Sequence, residues 1–574
     1  MQRHRLYTAL LCVLALSACS TAPESSLAGQ DTATAGAIAY PVAPPAPPAP
    51  AAEATTLDSI AVAPASRAKQ ANFAMQMMAP PATEAFAGGY RQDENTEKYE
   101  QREDNPVQRA SEQPVSTFSI DVDTGSYANV RRMLRQGVRP PADAVRAEEF
   151  INYFDYGHPA PTSRATPFRV STELAPAPWN GKRRLLMIGI KGYDVPKAAL
   201  PPSNLVFLID TSGSMDQPDK LPLLKQAFAQ LVPQLRAQDR VSIVVYAGSA
   251  GLVLPPTPGD RHGEILAALE QLQAGGSTNG GEGIRLAYAL ARQAFVKDGV
   301  NRVILATDGD FNVGISDRRA LETLVGDQRK SGIALSTLGF GGGNYNDAMA
   351  EQLADVGDGN HAYIDTLQEA RKVLVDEMQS TLLTIARDVK IQVEFNPAQV
   401  AEYRLIGYEN RALRNEDFAN DRVDAGDIGA GHEVTALYEI TLAGSGAERL
   451  PPLRYAGSRA IPPATAASTE IAHLRLRYKL PDADASRLIE VPVLRSQFTP
   501  EASESLRFSA AVAAFADALR GGTQMDAWSL DNIADAARNA QGSDRWGLRA
   551  EFLQLVTAAR QQVDAQSRSA AIAD

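Results

Sequence analysis

Three short segments of the chain carry side chains that could act together. Asp210-Thr211-Ser212-Gly213-Ser214-Met215, Gly275-Gly276-Ser277-Thr278-Asn279-Gly280 and Thr307-Asp308-Gly309-Asp310 supply the carboxylates of Asp210 and Asp308 and the hydroxyls of Ser212, Ser214 and Thr278. This set offers oxygen alone, with neither imidazole nor thiolate, so a hard cation is its natural guest. Mg²⁺ wants octahedral oxygen and gives up its waters reluctantly. A few protein ligands, some acting through water, would leave one position for an outside ligand. Mn²⁺ and Ca²⁺ are the alternatives. Asp310, just past the set, reads as a solvated turn residue rather than a further ligand.

The segments can meet only if the elements before them run side by side. Four apolar, β-branched runs stand out: 204–209, 240–246, 302–306 and 332–338. Near-continuous apolar strands are buried on both faces, as in parallel sheets. Helical stretches at 221–235, 263–273, 283–295, 317–330 and 346–354 separate them. Repeated βαβ units predict an α/β fold, a doubly wound and mostly parallel sheet with helices on both faces. Ligands of such sheets sit beyond the carboxyl ends of the strands, where the first and third segments fall.

The pattern DxSxS at Asp210, Ser212 and Ser214, then Thr278, then Asp308, resembles the metal-ion-dependent adhesion site of von Willebrand factor type A domains. The likeness covers roughly residues 200–380, and Gly339-Phe340-Gly341 through Asn346-Asp347 is similar to a glycine-rich turn of that family. The resemblance implies that Ser212, Ser214 and Thr278 coordinate Mg²⁺ while Asp210 and Asp308 help to hold it, directly or through water. It also implies that an acidic side chain of a partner protein completes the metal shell.

On either side lie strand-like runs, at 168–174 and 183–190 before the centre and at 389–395, 403–408, 433–442 and 471–478 after it. Alternation in Lys390-Ile391-Gln392-Val393-Glu394-Phe395 and in Ala472 to Tyr478 marks half-buried strands. These runs are expected to pair into one β-sandwich into which the central domain is inserted, with helices from 503 to 562 closing the chain. The segment 116–159, Tyr403 to Asn410 and Asp421 to Gly426 resemble regions that flank the type A domain in a bacterial envelope family. Asp121 and Asp123 approach a phosphatase signature, but Gly125 stands where Thr or Val is needed, so they read as turn and capping groups.

The start of the chain reads as an address. Arg3 and Arg5 precede the apolar run Ala9 to Leu16, which is too short to span a bilayer and has the form of a secretory signal. Leu16-Ser17-Ala18-Cys19 resembles a bacterial lipoprotein box, which implies lipidation at Cys19, and Ser20 in place of Asp points to the outer rather than the inner membrane. Pro41 to Pro50 and the polar stretch Gln92 to Asn105 cannot bury enough apolar surface to fold alone. The expected organisation is a signal peptide at 1–18, a disordered tether at 19–114 and an N-terminal flanking region at 115–199. The type A domain follows at 200–385, a β-rich region at 386–500 and a helical region at 501–574.

Composition removes several functions. A net charge of −12 disfavours nucleic acid as a partner. The only cysteines, Cys12 and Cys19, lie in the signal region, which excludes a cysteine nucleophile or a thiolate zinc site in the body. His4, His158, His262, His361, His432 and His473 show no metalloprotease pairing, and neither a Gly-x-Ser-x-Gly elbow nor a phosphate loop is present. The expectation is therefore a lipid-anchored envelope protein that binds another envelope or extracellular protein through Mg²⁺. It is not read as an enzyme, and it meets the membrane through its lipid alone. A metal-stabilised scaffold is the runner-up, and a hydrolase using the ion as Lewis acid follows it.

Overall fold

The computed structural model describes residues 96–276, 280–309, 318–454, 469–526 and 528–573. Strands β1 (Gln108–Arg109) and β2 (Val115–Ser119) come first, followed by helices α1 (Gly125–Arg135) and α2 (Ala147–Asn152) and the hairpin β3 (Phe168–Ala177) and β4 (Asn180–Gly192). The central domain then runs β5 (Ser203–Asp210), α3 (Leu221–Leu231), β6 (Arg240–Tyr246), β7 (Ala250–Pro258), α4 (His262–Glu270), α5 (Gly280–Gln293) and β8 (Val300–Thr307). It continues through α6 (Arg318–Lys330), β9 (Ala334–Phe340), α7 (Asp347–Val356), β10 (His361–Ile364), α8 (Leu367–Arg371) and α9 (Met378–Leu382). Strands β11 (Thr384–Phe395), β12 (Val400–Ile406), β13 (Ile428–Gly429), β14 (Glu433–Leu442), β15 (Glu470–Lys479) and β16 (Arg487–Leu494) follow. Helices α10 (Glu504–Arg520), α11 (Leu530–Arg538) and α12 (Leu548–Ala573) close the described chain.

The central sheet has the order β10-β9-β8-β5-β6-β7 and is parallel except for β7. Its strands are buried on both faces, as their near-continuous apolar runs predict. Along β5, Leu205, Phe207 and Ile209 face α3, α4, α8 and α9, while Val206 and Leu208 face α5, α6 and α7. Strand β7 escaped the sequence reading because Pro255, Pro256 and Pro258 break its pattern; prolines are tolerated there because β7 is an edge. The chain leaves β5 toward β6 on one side and returns to β8 on the other. The carboxyl ends of β5 and β8 therefore flank the point where strand order reverses, the usual place for a ligand in such sheets.

The flanking strands form the expected sandwich. One sheet has the order β1-β12-β14-β4-β3, and the other runs β13-β11-β15-β16 with β2 added to β11. Early and late strands share both sheets: β4 pairs with β14, and β2 pairs with β11. The first sheet is buried on both sides. Leu186, Ile188 and Ile190 of β4 point into the sandwich core, and Leu185 and Met187 point to a helical layer. That layer differs from expectation, because α1 and α2 from the N-terminal flank join α10, α11 and α12 around Tyr127, Phe150, Phe154, Phe508, Phe515 and Phe552. Residues 96–114, read from the sequence as the end of the tether, lie on the body. Lys98 forms a parallel bridge with Asn346, and β1 pairs with β12. Backbone pairing of polar residues leaves no hydrophobic period to read.

Buried arginines join the inserted domain to its host. Arg131 of α1, 1% exposed, donates to Asp365 at 2.5 and 2.8 Å, Glu369 at 2.7 Å, Glu551 at 3.0 Å and the Tyr153 hydroxyl at 2.6 Å. Arg146 reaches Glu149 and, at 2.5 Å, Asp347 of α7. Arg411 pairs with Asp121 at 3.2 Å, Asp123 at 3.3 Å and Asp355 of α7 at 2.7 Å. Removing one partner from such a set leaves uncompensated buried charge. Arg131→Ala is expected to destabilise the protein by about 3–5 kcal/mol in chemical denaturation.

A second outcome concerns pH. Burial, with Asp155 adding to it, pushes the Glu433 carboxyl up to about 7. The folded state thus keeps a proton that the unfolded chain gives up near the ordinary glutamate value, and Glu433 costs stability as pH rises through that window. Wild-type stability should fall between pH 5 and 8 by about 1–3 kcal/mol on this account. Glu433→Gln, which cannot ionise but gives up one of the two oxygens that accept the Tyr156 and His158 N–H groups, should flatten that fall in melting temperature.

Candidate metal centre

Asp210 ends β5 and Asp308 follows β8, its immediate parallel neighbour. Both carboxylates are completely buried. Asp210 Oδ1 accepts the Ser212 backbone N–H at 2.8 Å, and its Oδ2 accepts the Thr307 hydroxyl at 3.3 Å. Thr307 is itself held, accepting the Gly309 N–H at 3.1 Å. The two serine hydroxyls lie 3.0 Å apart, Ser212 buried and Ser214 exposed, so the set opens to solvent at Ser214. The loop after β5 is latched to the loop before α5 by two backbone bonds. Gly213 N–H donates to Gly276 at 3.0 Å, and Gly275 N–H donates to Thr211 at 2.8 Å. Four predicted site residues, Asp210, Ser212, Ser214 and Asp308, are thus brought to one edge of the sheet. Thr278, Asp310 and Cys19 lie outside the described residues.

The electrostatics suit a cation. Burial raises the Asp210 carboxyl to about 6, its Ser212 hydrogen bonds oppose the rise, and the charge of Asp308 adds to it. Two carboxylates held near one another in low dielectric favour any positive charge that can join them. Among the described residues no three His, Cys, Asp or Glu side chains gather to hold a metal; the donors here are two carboxylates and two hydroxyls. That oxygen set fits a hard divalent ion completed by water.

Sequence reasoning missed one member of this neighbourhood. Lys220, 2% exposed and just before α3, donates to Asp308 Oδ2 at 2.9 Å and to Asn344 Oδ1 at 3.1 Å. The available signal was a charged residue set directly against the apolar start Leu221-Pro222-Leu223-Leu224. Asn344 belongs to the glycine-rich turn, and Gly343 of that turn receives Thr96 N–H at 2.8 Å and gives its own N–H to Glu97 at 2.8 Å. The folded body's N-terminal strap therefore rests beside the site.

Asp121 and Asp123 make the expected turn, with Asp123 N–H on Asp121 Oδ1 at 3.0 Å, but they also bridge domains through Arg411 and the His361 N–H, the latter at 2.8 Å. His361 is engaged with Thr337 and Tyr345, His158 with Thr435, His262 with the Leu235 carbonyl and His473 with Glu490. Each is held by a polar partner of the framework rather than by the candidate site.

Gly309 is the tightest element of the site. Its φ is +93°, and a Cβ there would meet the Asn346 nitrogen at 2.2 Å and Tyr345 Cα at 2.7 Å. Gly309→Ala must move the segment that carries Asp308 or the turn before α7. A loss of about 2–4 kcal/mol in denaturation is expected.

The chain matches three family models: "von Willebrand factor" over residues 93–187, "von Willebrand factor type A domain" over 204–379 and "Uncharacterized protein YfbK, C-terminal" over 380–562. It is 51% identical over 467 residues to YfbK of Escherichia coli (strain K12), covering 80% of each chain. It is 31% identical over 198 residues to protein sll0103 of Synechocystis, covering 34% of this chain and 45% of that one. Among solved structures, the von Willebrand factor type A protein of Catenulispora acidiphila matches with a TM-score of 0.38 at 16% identity, over 65% of this chain and 87% of that one. Type A domains mediate protein–protein interaction and adhesion and often bind a metal ion through this type of motif.

Proposed function

Since the chain belongs to the family of the Escherichia coli protein YfbK and carries a von Willebrand factor type A domain, we propose that it is a lipid-anchored envelope protein whose central domain binds another protein through a divalent ion, Mg²⁺ foremost. One observation carries this reading: Asp210, Ser212, Ser214 and Asp308 converge at the strand-order reversal, with Ser214 open to solvent. Ser212, Ser214 and Thr278 would hold the ion directly, with Asp210 and Asp308 beside them. The ion would supply a positive contact for an acidic side chain of the partner. The reading is one of binding rather than turnover, because each described carboxylate at the site is already engaged, Asp210 by Ser212 and Thr307 and Asp308 by Lys220. Lipidation at Cys19, with the outer membrane as its address, completes the proposal.

The test is affinity capture from detergent-solubilised cell envelope with the full chain, in Mg²⁺, in chelator and with Asp210→Ala. A partner retained only by the wild type in Mg²⁺ supports the reading. Equal retention in all three arms would shift the site to a structural role.

A further inference from the structure

Lys220 is a fixed positive charge inside a site that otherwise gathers negative charge. Its ammonium lies 2.9 Å from Asp308 and 3.1 Å from Asn344. Its stem is clamped by the backbone of Gly341, where a Cβ would fall 2.4 Å from Lys220 Cγ and Cε. The lysine therefore cannot swing away to make room for a second cation without disturbing the glycine-rich turn. With Asp210 and Asp308 ionised, Lys220 leaves the buried trio one negative charge. A divalent ion then overshoots neutrality by one, and a single incoming carboxylate restores it. Without the lysine the ion alone would neutralise the pair of aspartates. Asp216 is exposed and Asp219 half-buried, so solvent screens them more strongly than it screens the trio.

We infer that Lys220 is a positioning residue and built-in counter-cation that makes the divalent ion and an acidic partner bind as a pair. This inference rests on the ion-binding reading above. The lysine holds Asp308 in place and repels the ion when it arrives alone. Excess charge in a buried locus is costly, and the partner's carboxylate removes the excess. By linkage, whatever the carboxylate adds to ion affinity, the ion adds to carboxylate affinity. The site is then weakly loaded at rest and closes only around an anionic contact.

The experiment is calorimetric titration of the full chain with MgCl₂ alone, and again with sodium acetate as a minimal carboxylate at constant ionic strength. The proteins are wild type, Lys220→Gln, Lys220→Arg and Asp210→Ala, each checked for folding by circular dichroism. Lys220→Gln keeps a donor near Asp308 without the charge. It should bind Mg²⁺ alone at least about tenfold more tightly than wild type, and the gain from acetate should shrink. Lys220→Arg keeps the charge and should follow wild type. If Lys220→Gln is too unstable for calorimetry, its melting temperature should rise more with Mg²⁺ than the wild type's does.

A folded Lys220→Gln that binds Mg²⁺ no more tightly than wild type overturns the lysine's role. If Asp210→Ala loses Mg²⁺ in that same experiment, the ion-binding reading survives the loss. If no protein binds Mg²⁺, or Asp210→Ala binds it like wild type, both readings fall.

Discussion

Burying an arginine is expensive unless every charge around it is answered, and three such residues hold this molecule together. Arg131, Arg146 and Arg411 each reach from the host layers into the inserted domain, onto Asp365 and Glu369, Asp347, and Asp355. Burial opposes ionisation of Asp347, yet Arg146, with His361 nearby, holds its carboxyl well below the usual range. Pairs of this kind add little net stability over apolar packing, but a mismatched orientation strands charge in low dielectric. They therefore select one docking of the central domain on the sandwich and helices.

That docking has a consequence for the candidate metal centre. Arg146 pairs with the first residue of α7, and the turn just before α7 carries Asn344 and Tyr345. The same turn receives the strap at Thr96 and Lys98 and touches Lys220 through Asn344. Host, strap and candidate site thus meet on one glycine-rich turn. The strap at residues 96–98 is joined to the body beside the candidate site.

Much of the architecture could be read from residue order alone. The near-continuous apolar runs of β5, β6, β8 and β9 specify buried parallel strands because apolar residues fall on both faces of each, and polar exceptions such as Ser242, Ser336 and Thr337 are buried with them. Once those strands are parallel neighbours, Asp210 and Asp308 must fall at one edge, since one ends its strand and the other directly follows its own. The oxygen chemistry of Asp210, Ser212, Ser214, Thr278 and Asp308 was likewise legible, because donor type is a property of each residue by itself. Alternation in β15 announced a strand with one covered face, whereas in β11 the alternating Lys390 and Gln392 are buried as well, under the segment around Asn415 to Asn420.

Beyond the meeting of Asp210 with Asp308, what stayed hidden was the pairing of polar and charged residues far apart in the chain. Nothing local in Lys220 points to Asp308, 88 residues away, and nothing in Arg131 points to Glu551, 420 residues away. The same holds for the strap on the glycine-rich turn and for α1 and α2 joining the C-terminal helices. Hydrophobic periodicity reports which face of an element is covered, but not what covers it. A charge pair has no period at all and exists only when the fold has closed around it.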